Sequence, residues 1–565
     1  MSLFSSIQLA NNSLRATQIG LQVVGQNIAN ANTPGYIREE VNLKPAPSQR
    51  VGGLVLGAGV QVDGIVQKID HFLESRLRGS TSDRVSSETQ EQIYQQLEGL
   101  IGELGDNGLS TSINDFFASL NEVLNQPESV SVRNLAVLKG KTLAQDINHL
   151  QDRVSIVRSD VNQRVAAVGD DINRLTEQIR KLNLRIAETE GGDVSHSDAV
   201  GLRDQRNQAL GELAQLIDIR VEEQPSGGVA IFAGGDYLVF EGQARTVKVA
   251  QAIDRGQTVA QIRVVETDSP LDVESGELIG LYKSRDDILG GFQDKLDEFT
   301  RTFVSEFNKV YSSGQGLKGF GQLTSEFAVS DAAAALDAAG LTYPPVNGSL
   351  QIQVFNRTTG LTQTTDIPID LNGLDHDTSL ADVVAAINAV NGVSASITLG
   401  GKLTISSDSP DQEIAFANDT SGLLMALGLN TFFTGTSAAT LGVNQDVAGD
   451  PAKFAASTGG VGEDTANAVA LAGFLDRPLE SASGDNLGTL YSGLTSEVTQ
   501  GSAVSHSVAE GFRTFEAALQ GQSLATSGVS LDEEAIKMIT LQRTFQASAK
   551  YIAALSELLD ILVSL

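Results

Sequence analysis

Residues 3–28 read LFSSIQLANNSLRATQIGLQVVGQNI, and this stretch carries the repeat that decides how the chain begins. Positions spaced alternately by four and three residues are apolar in seven of eight cases. These positions are Leu3, Ile7, Ala10, Leu14, Thr17, Leu21, Val24 and Ile28. Such a heptad pattern predicts a helix whose narrow apolar seam packs against another helix.

The last part of the chain has the same heptad pattern, and seven of its eight positions are again apolar. The positions are Met538, Leu541, Phe545, Ser548, Ile552, Leu555, Leu559 and Leu562. Ser530 and Glu533 have the spacing of a capping box, which predicts the start of this helix. Two amphipathic helices packed separately on a core remain an alternative. Because each end carries a narrow seam, we expect the ends to pair with each other or with neighbouring copies.

The first helix runs into a signature turn, residues 27–36, which contains Asn27, Asn30, Asn32, Thr33, Pro34, Gly35 and Tyr36. Pro34 cannot continue a helix, and Pro-Gly suits the central positions of a type II turn. The stretch therefore predicts a helix stop followed by a turn. A binding loop built from the three Asn residues is the less favoured alternative.

The heptad helix followed by Asn-x-x-Asn-x-Asn-Thr-Pro-Gly-Tyr resembles the N-terminal signature of bacterial flagellar axial proteins, which include rod, hook and hook-associated proteins. Further stretches are similar to the family of flagellar hook-associated protein 1, whose members join hook to filament. These stretches are residues 108–110, 116–117, 204–206, 275–281 and 527–534. On this resemblance the chain is identified as a member of that family.

The resemblance implies a structural adaptor and no enzyme. It implies an antiparallel coiled coil of both termini that packs against further copies in a ring. The partners it implies are the hook protein, a second hook-associated protein at the junction, an export chaperone on the C-terminal helix and the flagellar type III export apparatus. The implied location is the extracellular flagellum, reached after synthesis in the cytoplasm without a cleaved signal peptide.

The middle of the chain predicts a multidomain α+β protein. Apolar steps of four and three over residues 143–186 predict a long helical strut, and strands flanking Gly234-Gly235 predict a hairpin within a β region near 220–270. Residues 345–445 predict an inserted, β-rich outer domain with a strand, a capped helix and a hairpin. The expected division is therefore 1–36 with 528–565 as the terminal coiled coil, 37–330 with 446–527 as a mostly helical rod domain, and 345–445 as the insert.

Composition excludes several classes of protein. The 565 residues include 39 Lys and Arg against 70 Asp and Glu, a formal net charge of −31, which argues against a nucleic-acid binder. Cys is absent, so disulfides and thiolate sites are excluded. The N-terminus lacks the pattern of a signal peptide, and no apolar run is long enough to span a membrane. Aromatic residues make up only 5%, which predicts modest cores of small and aliphatic side chains.

No pattern in the sequence predicts a catalytic site, a cofactor site or a metal site. Residues 314–319 match G-x-G-x-x-G, but they follow a predicted helix instead of a strand, so the stretch is interpreted as a flexible turn. The five His residues are dispersed and share no helix face. Two rival functions stay open: another axial protein such as a hook or rod subunit, and a secreted adhesin or hydrolase carried on a helical stalk.

Overall fold

The computed structural model describes residues 3–51, 54–102, 108–191, 196–374, 376–462 and 464–564. Long helices and small antiparallel sheets make up this part of the chain. The helices are α1 (Leu3–Asn30), α2 (His71–Ile101), α3 (Leu109–Asn125), α4 (Val130–Glu190), α5 (Val200–Leu216), α6 (Glu277–Lys283), α7 (Gly290–Tyr311), α8 (Leu380–Asn388), α9 (Leu423–Leu427), α10 (Gln445–Gly449), α11 (Ala466–Ala472), α12 (Leu487–Ser527) and α13 (Leu531–Ser564). The strands are β1 (Glu39–Pro45), β2 (Gln49–Val51), β3 (Leu54–Leu56), β4 (Val60–Gln67), β5 (Arg220–Glu223), β6 (Val229–Ala233), β7 (Asp236–Phe240), β8 (Gln243–Ala244), β9 (Val247–Asp254), β10 (Gln257–Val264), β11 (Gln322–Thr324), β12 (Gly348–Asn356), β13 (Leu361–Ile369), β14 (Val393–Ile397), β15 (Leu403–Ser407), β16 (Gln412–Ala417), β17 (Phe433–Thr434) and β18 (Gly442–Val443).

The chain forms two compact units, each assembled from separate stretches of sequence. The first unit contains Met1–Ile93, Ser159–Asp286 and Ala503–Leu565, and the second contains Tyr94–Arg158 and Asp287–Ser502. Both chain ends therefore belong to the first unit. The division into three domains expected from the sequence stays a prediction.

In the first unit, α1 lies beside the antiparallel pair of β1 and β4, and α13 packs against α1. The strands β5, β6, β7 and β8 form a second sheet in sequence order, and Gly234 at φ +55° turns the chain between β6 and β7. Within this unit α2 and α12 are tied together by Arg513, which pairs with Glu88 at 2.7 Å and with Glu91. Packing and ion pairs between long helices thus hold this unit together, and its small sheets lie beside these helices.

In the second unit, residues 320–429 contain two three-stranded sheets around one apolar core. The sheet orders are β13-β12-β16 and β11-β15-β14, and α8 packs on the same core. Ser379 and Asp382 form a capping box at the start of α8. β13 and β16, which the sequence analysis did not predict, pair on either side of β12.

The second unit also contains a deep aromatic core, so the expectation of aliphatic cores alone is wrong. Phe116, Phe303, Phe307, Phe432, Phe433, Phe454 and Tyr311 are all buried to within 1% of complete burial. The rings of Phe432 and Phe433 lie with centroids 4.7 Å apart. Composition counts aromatic residues without locating them, and here stretches that are distant in the sequence bring several of them into one core.

Within the described part of the chain, no helix is both long and apolar enough to cross a membrane.

Candidate assembly site: the paired terminal helices

The two terminal helices, α1 and α13, pair side by side in antiparallel orientation. Each step of seven residues forward along α1 matches a step of seven residues backward along α13. The matched positions are Ser13 with Ser548 (Oγ to Oγ 3.1 Å), Gly20 with Leu541, and Asn27 with Glu534 (Nδ2 to Oε2 3.2 Å). A Cβ added to Gly20 would lie 3.2 Å from Leu541 Cδ1. Small residues on α1 therefore permit a close approach of the two helices.

The structure places the predicted seam residues close to this interface, but not all in its centre. On α1 the buried members are Ala10, Thr17 and Val24, while Ile7, Leu14, Leu21 and Ile28 are half-buried. On α13, Met538, Leu541, Ser548, Ile552 and Leu559 are half-buried, Leu555 is buried and Phe545 is exposed. The Leu3 and Leu562 side chains lie outside the described part of the structure. The closest contacts of α1 come one residue before Leu14, Leu21 and Ile28, because large apolar residues flank the line of closest approach.

Asn27, the first residue of the signature turn, joins three segments of the chain. Its Nδ2 donates to the backbone oxygen of Glu39 at 3.0 Å and to Glu534 Oε2. Its Oδ1 accepts from the backbone N–H of Glu39 at 3.0 Å and from Tyr36 Oη at 2.9 Å. Asn27 is 1% exposed, and three of its four bonds are buried, while the bond from Tyr36 is partly buried. The end of α1, the start of β1 and the first turn of α13 are thereby locked in one register.

Arg38 completes this arrangement, which we call the clasp and define as Asn27, Tyr36, Arg38, Glu39 and Glu534. Arg38 Nε donates to Glu534 Oε1 at 2.9 Å, and Nη2 approaches the same oxygen at 2.7 Å. The side chain of Glu534 is fully buried, so its charge depends mainly on Arg38 for compensation, and Asn27 adds a neutral hydrogen bond. Burial, reinforced by repulsion from Glu39, raises the pKa of Tyr36, which therefore stays protonated as a donor to Asn27.

The capping box predicted at Ser530 and Glu533 forms only in part. The backbone N–H of Glu533 approaches Ser530 Oγ at 3.5 Å. The Glu533 carboxylate pairs instead with Arg38 Nη1 at 2.9 Å. Arg38, which lies directly before β1, thus replaces the local bond that the spacing predicted with a charged pair.

The signature turn has the predicted shape. Tyr36 N–H donates to the Thr33 carbonyl at 3.2 Å, and Gly35 has φ +77°, as a type II turn requires. Asn30 Nδ2 donates to Gln26 O, and Asn30 Oδ1 accepts from Thr33 Oγ1 at 3.2 Å. Asn27 and Asn30 thus serve the local structure, whereas Asn32 and Pro34 are exposed.

A cavity of about 820 Å³ opens beside the signature turn within the first unit. We call it the turn cavity. Aliphatic and amide side chains of α1, β4 and α5 line half of it, namely Ile19, Gln22, Val23, Gln26, Val62, Ile65, Val200, Gln205 and Gln208. Two carboxyl groups, Glu39 and Asp204, also face it. Asp204 accepts from Gln67 Nε2 at 2.6 Å. Burial, with added repulsion from Glu39, raises the pKa of Asp204 to about 6.

Asp204→Asn is expected to stabilise the isolated chain at neutral pH. The pKa of Asp204 lies above its ordinary value of 3.8, so the folded chain holds this proton more tightly than the unfolded chain. Wild-type stability should therefore fall as pH rises from about 4 to about 6, and Asn should recover about 1–3 kcal/mol above that range. Urea unfolding of both proteins at pH 4 and pH 7.5 measures this. An equal difference at the two pH values would contradict the prediction.

The G-x-G-x-x-G stretch forms a packed turn in the second unit, so its interpretation as a flexible turn is wrong. Gln315 exchanges backbone hydrogen bonds with Ser457 at 2.8 and 3.0 Å. A Cβ at Gly316 would lie 2.6 Å from the Ala452 carbonyl oxygen. The glycines allow backbones to approach each other, which explains the motif without a nucleotide.

Sequence reasoning did not single out Arg38, Glu39 or Asp204 as site residues. Arg38 and Glu39 come just after the signature turn, and the first turn of α13 contains three acidic residues, Asp532, Glu533 and Glu534. The basic residue after the turn and the acidic residues at the start of α13 were the signal in the sequence that could have predicted an ion pair between the two ends. No apolar periodicity reveals it, because the clasp is polar.

Comparison with known proteins gives three family matches along the chain. Residues 94–327 match the helical domain of the flagellar hook-associated protein FlgK. Residues 7–36 match the flagella basal body rod protein family, and residues 520–565 match the C-terminal family of the basal body rod proteins FlgEFG. The flagellar hook-associated protein 1 of Salmonella typhimurium is 23% identical over 577 residues, covering 99% of this chain and 100% of that protein.

The chain belongs to the family of flagellar hook-associated protein 1. The Bacillus subtilis member is 26% identical over 462 residues, which cover 76% of this chain and 86% of that protein. A solved structure of the flagellar hook junction protein FlgK from Burkholderia pseudomallei aligns with a TM-score of 0.49 at 15% identity, over 80% of this chain and 100% of that chain. This family member is a structural component of the flagellum and not an enzyme.

Proposed function

We propose that this chain is the adaptor that joins hook to filament at the flagellar junction, where copies assemble through their terminal helices into a ring. One observation carries the proposal. The two stretches that match axial-protein families, residues 7–36 and 520–565, contain nearly all of the two helices that pair in the structure, the signature turn, and three of the five clasp residues, Asn27, Tyr36 and Glu534. The stretches that match axial-protein families therefore coincide with the paired helices that the two ends of the chain form.

The mechanism is mechanical. In this proposal α1 and α13 form the inner antiparallel coiled coil, and α13 keeps apolar residues free for neighbouring copies. Ile536, Ile539, Leu558 and Ile561 are each more than half exposed. Covering one such side chain contributes about 1.5–3 kcal/mol, so several together favour lateral packing.

The same proposal assigns the partners and the route. One face of the ring receives the hook protein, and the other receives the second junction protein. The chain is exported by the flagellar type III apparatus to the extracellular flagellum, and a chaperone covers the C-terminal helix before export. A helix with apolar side chains on several faces needs such cover while α1 is not yet packed against it. A chain without Cys also avoids disulfide formation on the way.

Electron microscopy of a strain that lacks this chain tests the proposal. We expect complete hooks without filaments and filament protein released into the medium. Complementation with the wild-type chain should restore filaments and place the chain at the junction by immunogold labelling. Loss of the hook would identify a hook or rod subunit instead, and intact, motile flagella would overturn the proposal.

A further inference from the structure

The turn cavity holds two acidic groups that are hydrogen-bonded but have no cation beside them among the described residues. Within the described residues neither Glu39 nor Asp204 forms an ion pair, and the electrostatic influence of Glu39 on Asp204 is repulsive. Glu39 is 7% exposed, so water compensates little of its charge. The remaining walls are mainly aliphatic and amide groups, with the hydroxyl groups of Thr33, Tyr36 and Ser197 and, in the part of the chain that the structure describes, no cationic side chain. This chemistry suits a long aliphatic stem that ends in a cation, as in Arg or Lys.

The outer face of α13 carries the complementary features. Ile536, Ile539, Arg543, Lys550 and Ile561 follow helical spacing on the side of α13 away from α1, and all five are exposed. Arg543 makes no hydrogen bond or ion pair with the described residues. It is thus an unpaired guanidinium within an exposed apolar stripe.

The two features lie on different sides of the helix pair. On α1, Gln22 and Gln26 line the turn cavity, whereas Ser13, Gly20 and Asn27 face α13. The outer face of α13 points away from α1, so it cannot fill the cavity of its own chain. Two complementary faces on different sides of one chain make a head-to-tail contact, which closes into a ring when the rotation between copies allows it.

We propose that the outer face of α13 in one copy docks over the turn cavity of the next copy, and that Arg543 enters the cavity to pair with Asp204 and Glu39. The inference rests on the proposed function, in which copies lie side by side. Charge complementarity selects this occupant. Each copy has a formal net charge of −31, so copies repel at long range and need local pairs of opposite charge to associate.

Cysteine cross-linking tests the contact without background, because the chain has no Cys of its own. Gln208→Cys lies at the cavity rim, and Ala547→Cys lies one turn after Arg543 on the outer face of α13. The matched control replaces Ala549, which is also exposed but lies about 200° around the helix from Ala547. Oxidation of isolated flagella that carry the first pair should give a ladder of linked copies. The control pair should give at least tenfold less.

Charge exchange tests the pairing itself. Arg543→Glu changes an exposed residue, so the purified chain should keep the wild-type circular dichroism and melting curve while its amount in isolated flagella falls at least tenfold. Asp204→Lys combined with Arg543→Glu should restore a substantial part of that amount. Incorporation of Arg543→Glu at the wild-type level, equal cross-linking by both Cys pairs, or a link from residue 208 only to a different protein would overturn the inference and leave the proposed function standing. Absence of the wild-type chain from flagella would overturn both.

Discussion

Arg38→Ala is expected to lower the free energy of unfolding of the first unit by about 3–5 kcal/mol, because it leaves the carboxylate of Glu534 buried without its guanidinium. The Glu534 side chain has no exposed surface. Its other cation, Lys537 Nζ, lies 3.5 Å away on a side chain that is 45% exposed, so that charge is screened by water. Asn27 supplies one hydrogen bond but no charge.

Urea unfolding of a double-mutant cycle measures the effect. Arg38→Ala with Glu534→Gln should recover a large part of the loss, since the second change removes the uncompensated charge. Lys44→Ala serves as the control, because it breaks the Lys44–Asp63 pair of β1 and β4, whose side chains are 43% and 22% exposed, and should change stability less than Arg38→Ala. If Arg38→Ala and Lys44→Ala have equal effects, the clasp does not stabilise the terminal pair.

Deleting residues 552–565 is expected to abolish incorporation into flagella while the rest of the chain stays folded. The deletion removes Ile552, Leu555 and Leu559 from the seam of α13, and each buried aliphatic side chain is worth about 1.5–3 kcal/mol. The clasp and the contact of Gly20 with Leu541 remain, so the start of α13 keeps its register. Flagella purified from the deletion strain, probed by immunoblot, measure incorporation.

A matched pair of substitutions separates the seam from the length of the helix. Leu555→Ser with Leu559→Ser should repeat the assembly defect, whereas Ala553→Ser with Asp560→Ser, on exposed positions of the same turns that lie off both the seam and the outer face, should assemble normally. Limited proteolysis checks that both purified variants keep their folded units. Equal incorporation of the truncated and wild-type chains would contradict a role of the terminal seam in assembly.

Much of the local structure could be predicted because it depends on neighbours in sequence. The heptad spacing predicts α1 and α13, and Pro34-Gly35 predicts a turn whose hydrogen bond and φ are those of type II. The capped helix α8 is present for the same reason, since Ser379 and Asp382 are only three residues apart. Capping and turn formation use groups a few residues apart, so a short window of sequence contains all the partners.

The family could be recognised from the same short stretches, because the signature turn and the C-terminal helix are distinctive. Apolar periodicity located the terminal interface only approximately. The closest approach of α1 to α13 runs through Ser13 and Gly20, and an apolar repeat does not detect such small residues.

The sequence did not predict the aromatic core of the second unit, because this core joins Phe116 to Phe432 and Phe433, which are far apart in the chain.

By itself the sequence determined the terminal helices, the signature turn, the membership of an axial-protein family and the absence of thiol chemistry. Each of these follows from composition or from residues within a few turns of one another. Only the tertiary structure decided the clasp, in which Arg38 meets Glu534 across 496 positions of the chain, and the turn cavity, in which Asp204 faces Glu39. Ion pairs and cavities form between residues that are close in space but distant in the sequence. Periodicity along the chain does not indicate which distant carboxylate will pair with a buried guanidinium.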